Sequence, residues 1–164
     1  MQRWLKFTKY LPEFGIKPYI LTVDVKYASY FQVDESLKKD IPPDITVFTT
    51  KSFEALNILS TLIGGKNVPY GGFTNVNKRS FLQYILRFIR GNFFIPDARV
   101  GWNGFAYRKA KDIIKKYKID TIITTSPPHS TQLIGLKLKK KFNIPWIADF
   151  RDPWTDIYYY NDLL

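Results

Sequence analysis

The sequence predicts an α/β fold with a mainly parallel sheet flanked by helices. Short apolar runs rich in β-branched and aromatic residues alternate with helical patterns, and short turns join most of them. Consecutive strands separated by helices are typical of parallel pairing, because the chain must cross the sheet before the next strand begins. The predicted strands are residues 17–24, 45–50, 119–125 and 144–150.

Length and composition narrow the class of protein. The 164 residues suit one domain or one lobe of a larger protein, and the absence of Cys excludes disulfides and zinc–thiolate sites. His129 is the single histidine, so no histidine cluster is available for a metal. We see neither an apolar run of the roughly 18–20 residues that a membrane span needs nor a signal peptide. A cytoplasmic protein is therefore expected.

The opening helix is predicted over residues 3–14, where Trp4, Phe7, Leu11 and Phe14 share one face, and Gly15 ends it. A buried strand, residues 17–24, follows directly. Because an α/β fold normally begins with a strand, we expect the first strand to be missing and the chain to be truncated at Met1.

The middle of the chain contains two further predicted helices. Ser52 can cap the first of them, with Glu54 in its first turn, after the strand at residues 45–50. The second helix, residues 78–90, has a broad apolar face and a basic opposite face.

The last third of the chain predicts a regular alternation. Asn103 can cap a helix over 104–117, a strand follows at 119–125, and a helix over 130–142 ends at Asn143. The turns after the last two strands are residues 126–130 and 149–156. Since ligands bind beyond the carboxyl ends of parallel strands, both turns are expected to line one crevice.

The first of these turns carries His129 just before a helix. A neutral imidazole can accept a hydrogen bond from a substrate hydroxyl. Free amides at the helix start, with the hydroxyls of Ser130 and Thr131, can bind a phosphate or a sugar oxygen. The alternative is that Ser130 caps the helix and His129 fills the turn.

The second turn carries alternating charges. Arg151 can bind a phosphate or carboxylate through its planar guanidinium, and Asp149 or Asp152 can hold that group or accept from sugar hydroxyls. The alternative is an Arg–Asp pair that only organises the turn.

The net charge of +11 points to an anionic partner: nucleic acid, a phosphorylated substrate or a membrane surface. Helix 78–90 could lie on anionic lipid, and the alternative is a core helix with a solvated basic side. Nucleic acid is disfavoured because no zinc finger, RNA-binding signature or basic zipper is present. The candidate membrane contacts are Lys78, Arg79, Phe81, Arg87, Phe88 and Arg90.

Three segments resemble one known family. They are TTSPPHSTQLIGLKLKKKFNIPWIADFRDPWTD at residues 124–156, QRWLKFTKYLPEFGIKPYILTVD at residues 2–24 and RGNFFIPDARVGW at residues 90–102. They resemble the amino-terminal domain of bacterial glycosyltransferase family 4 enzymes, which have the GT-B fold. The SPPHS turn and the ADFRDPW segment together are the most specific part.

The resemblance implies that residues 1–164 form one Rossmann-like, acceptor-binding lobe, truncated at both ends. In the family, a carboxy-terminal lobe binds the nucleotide-sugar donor and carries a Glu-x7-Glu pair. That lobe, the first strand and its glycine-rich turn are absent from this sequence, so the isolated chain is expected to be inactive. No metal or cofactor is implied.

The resemblance also assigns roles by position. His129 would face the cleft and position the acceptor or transferred sugar. Residues expected to bind substrate are Gln2, Arg3, Ser126, Ser130, Thr131, Arg151 and Asp152.

The full-length protein would then be a retaining glycosyltransferase of cell-surface polysaccharide synthesis. It would act on a glycan or lipid-linked acceptor, at the inner face of the cytoplasmic membrane. The alternative function is a non-enzymatic basic module that binds anionic membrane or nucleic acid.

Overall fold

The computed structural model describes residues 2–28, 39, 41–54, 88, 92 and 95–152. Within these ranges the protein is α/β, with short parallel strands flanked by helices, which confirms the predicted class. In chain order the elements are α1 (Gln2–Tyr10), β1 (Tyr19–Val23), β2 (Thr46–Thr50), α2 (Asn103–Tyr117), β3 (Ile122–Ser126), α3 (Thr131–Phe142) and β4 (Trp146–Phe150).

The described strands form two parallel pairs rather than the single predicted sheet. β1 pairs with β2, placing Tyr19 opposite Thr46, and β3 pairs with β4, placing Ile122 opposite Trp146. All four strands lie inside the runs that the sequence predicts, except that β3 extends to Ser126. Apart from Phe88, the predicted helix 78–90 lies outside the described residues, as does the helix body predicted after Ser52.

The core lies where α2 and α3 pack together against the strands. Its buried members are aliphatic, and the nearest strand residues, Leu21 of β1 and Ile122 of β3, pack against them. Burying such side chains is worth roughly 1.5–3 kcal/mol for each large aliphatic residue. The cluster consists of Ala106, Ala110, Ile114, Ile134 and Leu138.

An aromatic group joins the last turn of α2 to the first pair of strands. The ring of Tyr117 lies 4.7 Å from that of Tyr19 and 5.7 Å from that of Phe48, measured between centroids. Tilted aromatic pairs at this separation stabilise the fold beyond the contribution of the apolar area that they bury. α2 is therefore fixed to β1 and β2 at its carboxyl end.

The predicted apolar face of the first helix does not persist. Trp4 and Leu11 are half-buried, but Phe7 is 51% exposed and Phe14 is 77% exposed. α1 ends at Tyr10, and Leu11–Phe14 form a tighter 3₁₀ turn with Pro12 in its second position. A 3₁₀ turn has about 3.0 residues per turn, so it rotates Phe14 off the α-helical face.

Two predicted helix signals have different outcomes. Asn143 ends α3 in the left-handed region, with φ 51°, as predicted. The prediction that Asn103 caps α2 is wrong, because the helix already begins at Asn103 and Trp102 occupies the cap position. Asn103 Nδ2 instead donates to the carbonyl of Ser130 at 2.8 Å and so ties the start of α2 to the start of α3.

Within the described ranges, the structure contains no helix with the length and apolarity needed to cross a membrane.

We predict that Gly135→Ala in α3 lowers stability. A Cβ at this position would overlap the indole of Trp146, whose Nε1 donates to Thr124 Oγ1 at 2.8 Å. Overpacking of this kind costs about 1–3 kcal/mol. The free energy of unfolding from urea titration measures the loss.

Gly104→Ala in α2 is the matched control. Its Cβ would meet only the Arg108 guanidinium, at 3.9 Å, so this variant should lose no stability. Equal losses in both variants would contradict the packing explanation.

Candidate functional site

The two turns that the sequence singles out follow the neighbouring strands β3 and β4. The register places Thr125 opposite Asp149 and Ser126 opposite Phe150. Side chains alternate between the two faces of a strand. Thr125 and Asp149 therefore share one face of the pair, while Ser126 and Phe150 share the other.

The Asp149 carboxylate accepts hydrogen bonds from three donors at the carboxyl ends of these strands. Its Oδ2 accepts from Thr125 Oγ1 at 2.7 Å, from Trp4 Nε1 at 2.9 Å and from the Arg3 guanidinium. The Arg3 side chain is 43% exposed and that of Asp149 is 21% exposed. The amino-terminal end of α1 is thus fixed to the edge where the predicted crevice lies.

Two opposing effects act on the pKa of Asp149. Burial alone would raise this pKa, because it penalises the charged carboxylate. The hydrogen bonds from Thr125, Trp4 and Arg3, together with the Arg3 charge, outweigh burial and lower the pKa below 3.8. Asp149 is therefore a carboxylate at neutral pH.

On the opposite face, a buried polar network connects β3, β4 and α3. Gln132 Nε2 donates to the Asp149 carbonyl at 3.1 Å, and its Oε1 accepts from the Thr124 hydroxyl. Ser126, 1% exposed, donates to the same carbonyl at 3.3 Å. These hydroxyl and amide groups fix the register, and the Ser126 hydroxyl points into the protein.

The amino-terminal end of α3 differs from the predicted anion site. Asp97 takes the place of the anion: its Oδ2 accepts from the Ser130 N–H at 2.6 Å, and its Oδ1 accepts from Ser130 Oγ at 2.9 Å. The next three amides, of residues 131–133, donate to the carbonyls of residues 128–130.

Two expectations at this helix start are therefore wrong. The amides are not free, because Asp97 and the preceding carbonyls accept from them. Ser130 does not cap its own helix, because its hydroxyl donates to Asp97 and it is fully buried. A carboxylate at this end also interacts favourably with the helix dipole.

His129 is buried beside an aromatic ring. It is 6% exposed, and its imidazole stacks on Phe150 with ring centroids 6.4 Å apart and planes at 20°. Phe150 itself is 50% exposed. The imidazole therefore lies at the carboxyl ends of β3 and β4, as expected for the turn, but below the surface.

The remaining predicted site residues are spread along this edge. Arg151 Nε and Asp152 Oδ1 lie 3.4 Å apart in an exposed ion pair. This is the arrangement of the alternative interpretation, in which an Arg–Asp pair organises the turn. Thr131 is half-buried in the first turn of α3, and Gln2 begins α1. Substrate binding by these residues stays a prediction.

The candidate membrane contacts give little further information. Phe88 is helical and 47% exposed, and Asn92 Nδ2 donates to its carbonyl at 2.8 Å. The other five candidates lie outside the described residues. In the described ranges, no three His, Asp or Glu side chains come together in a way that could hold a metal ion.

Sequence reasoning missed three residues that organise this edge. The sequence pattern places Trp4 only on an apolar helix face, and it indicates no role for Gln132 and Asp97. Asp97 lies 33 residues before Ser130. No local sequence pattern connects such distant residues. The Asp that follows Pro96 is only a weak indication that this segment has a structural role.

Comparisons of the chain with protein-family models, with curated proteins and with solved structures give no match.

We predict that Asp149→Asn lowers stability at pH 7 by about 1–3 kcal/mol, since a neutral amide replaces a charged acceptor of three donors. The lowered pKa means that the carboxylate stabilises the fold fully above 3.8 and that this contribution is lost as the pH falls through the folded-state pKa. As the pH falls through this pKa, the free energy of unfolding of the variant should therefore decrease less than that of the unchanged protein. Urea titrations at several pH values would measure the difference.

Asp120→Asn serves as the control, because Asp120 is exposed between α2 and β3 and accepts no described hydrogen bond. If Asp149→Asn keeps the acid dependence of the unchanged protein, the three donors do not govern the titration of this carboxylate.

Proposed function

We propose that this chain is the acceptor-binding part of a retaining glycosyltransferase, in a Rossmann-like lobe of a GT-B fold. The observation that carries the proposal is the group of polar side chains at the carboxyl ends of β3 and β4. Asp149 accepts hydrogen bonds from Arg3 and Thr125 there, and His129 lies in the turn that follows β3. This is the edge of a parallel sheet at which ligands bind.

The charges at this edge suit a phosphorylated acceptor. Arg3 and Arg151 are 43% and 44% exposed in their side chains, so their guanidinium groups can reach a ligand. Asp149 holds the Arg3 guanidinium in place while leaving much of it accessible. An oriented guanidinium binds phosphate oxygens through paired hydrogen bonds.

The resemblance of residues 124–156 to family 4 glycosyltransferases supplies the reaction class. The donor nucleotide-sugar would bind mainly to a carboxy-terminal lobe, and this chain would position the acceptor. His129 would position the reacting sugar. Catalysis by this lobe would be positional and electrostatic.

The test is a turnover assay with a panel of nucleotide-sugars. The full-length product of the native reading frame should transfer sugar, and the 164-residue chain, as control, should not. In the full-length protein, His129→Ala should lower kcat at least about tenfold while leaving the KM for the donor nearly unchanged. Absence of turnover, donor binding and a second lobe in the full-length protein would contradict the proposal.

Ser130→Ala controls for structural damage next to His129. Ser130 is fully buried and its hydroxyl donates to Asp97, so this change removes a stabilising contact close to the imidazole. Circular dichroism establishes that both variants fold. If both variants lower kcat equally, His129 acts through packing and is no part of the site.

A second candidate function rests on the exposed lysines of α2 and α3. These helices pack against each other in one layer, and the described lysines on their exposed positions are Lys115, Lys116, Lys137, Lys139, Lys140 and Lys141. A basic surface of this kind favours a non-enzymatic module that binds anionic membrane or nucleic acid.

Vesicle binding tests this second candidate. The chain should bind vesicles that contain anionic lipid at low salt, should release them as salt increases, and should ignore neutral vesicles. Replacing Lys139, Lys140 and Lys141 by Gln should weaken binding, since each Lys or Arg side chain near an anionic membrane surface contributes about 1 kcal/mol. Failure to bind anionic vesicles at low salt removes the membrane role.

A further inference from the structure

The peptide group between His129 and Ser130 is held on both of its sides. The Ser130 N–H donates to Asp97 Oδ2 at 2.6 Å. The His129 carbonyl accepts from the Gln132 N–H at 3.0 Å. Since the N–H and the carbonyl of one peptide group lie in a single plane, the two contacts together fix the orientation of that plane. They therefore fix the backbone from which the His129 side chain leaves.

Ser130 makes two further contacts with the same part of the chain. Its hydroxyl donates to Asp97 Oδ1 at 2.9 Å, and its carbonyl accepts from Asn103 Nδ2 at 2.8 Å. Ser130 is fully buried, so its polar groups depend on these protein partners rather than on solvent. Asp97 and Asn103 both belong to residues 97–103, which we call the bridging segment.

The bridging segment also holds Asp97 in place. Asp97 Oδ1 accepts from the Arg99 N–H at 2.8 Å, as an Asp side chain does in a turn closed two residues further on. The Asp97 carbonyl accepts from the Val100 N–H at 3.3 Å. Because the carboxylate is bound to its own turn, it provides a fixed point of attachment for Ser130.

The other end of the bridging segment is attached to the carboxyl end of β2. Trp102 Nε1 donates to Oγ1 of Thr50, the last residue of β2, at 2.7 Å. The backbone at Gly101 lies so close to the chain after β2 that an added Cβ would stand 1.9 Å from the Phe53 carbonyl oxygen. The bridging segment therefore ties the turn after β3 to the end of β2.

We propose that Asp97 is a positioning residue for His129, an inference that rests on the proposed role of His129 in sugar transfer. Asp97 holds the peptide group that follows His129 against the bridging segment. This directs the buried imidazole to its place beside Phe150. Without the carboxylate, the peptide group can rotate and the imidazole moves with it.

Magnetic resonance of the 164-residue chain tests this proposal, because His129 is its single histidine and gives one isolated set of imidazole signals. In the unchanged chain, the imidazole protons should show Overhauser effects to the Phe150 ring, whose centroid lies 6.4 Å from that of the imidazole. Asp97→Ala should weaken these effects, which fall steeply with distance, and should shift the imidazole signals. If Asp97→Ala does not fold, Asp97→Asn, which keeps one acceptor oxygen, should give the same change to a smaller extent.

Asp24→Ala is the matched control for the loss of a carboxylate. Asp24 Oδ1 accepts from the Lys26 N–H at 2.9 Å, in a turn of the same kind that follows β1. This variant therefore loses a contact like that between Asp97 and Arg99. It should leave the imidazole signals of His129 unchanged.

Ser130→Ala separates positioning from a general loss of stability. It removes the hydroxyl that donates to Asp97 but keeps the peptide N–H that donates to the same carboxylate. It should therefore lower the urea midpoint without weakening the Overhauser effects between His129 and Phe150. Unchanged signals in Asp97→Ala, or an equal displacement of the imidazole in Ser130→Ala, would overturn the proposal.

Kinetics of the full-length protein provide the second readout. Asp97→Ala should lower kcat and leave the KM for the donor nearly unchanged, as expected for His129→Ala. The double variant should be no slower than His129→Ala alone, because Asp97 acts through that imidazole. Additive losses would overturn the proposal. The resonance experiment needs no sugar transfer, so the hold of Asp97 on His129 and the proposed function can fail separately.

Discussion

Ala106 and Ala110 bring α2 close to its neighbours, and this close packing determines how the described chain is held together. Small side chains let a helix backbone approach other elements, while Ile114 and Leu138 fill the space between α2 and α3. Strands of both pairs reach this same cluster through Leu21 and Ile122. Within the described residues, this cluster is the core that the two pairs of strands share.

Carboxylates that accept several hydrogen bonds provide the second level of organisation. Asp149 joins α1 to β3 and β4, and Asp97 joins the segment before α2 to the start of α3. A carboxylate has about four acceptor positions, so one such residue can hold three donors from different elements. Each of these carboxylates therefore joins several elements at an edge that is rich in turns.

The sequence predicts strongly those features that depend on neighbouring residues. Strand runs such as ITVFTT and IDTIITT, and the stop at Asn143, depend on local propensity and turn chemistry, and the structure contains them. The predicted apolar face of the first helix is not retained. Phe14 leaves it because the 3₁₀ turn after Tyr10 changes the period, and Phe7 is 51% exposed within α1 itself.

Contacts between distant residues could not be predicted in this way. The carboxylate at the start of α3 comes from Asp97, and the donors to Asp149 include Arg3 and Trp4, about 145 positions earlier. Ser130 and Asn103 looked like ordinary caps, yet tertiary contacts use both of their side chains. Hydrophobic periodicity indicates which face of an element is apolar. It does not indicate which charged residue from a distant part of the sequence contacts that element.

The indole hydrogen bonds of the described tryptophans have an optical consequence. Trp4 donates to Asp149, Trp102 to Thr50 and Trp146 to Thr124, so each indole lies at a different junction between elements. Indole emission shifts with the polarity and hydrogen bonding around the ring. Variants that retain one of these tryptophans at a time would therefore show, by colour and intensity of fluorescence, which junction opens first when the protein unfolds.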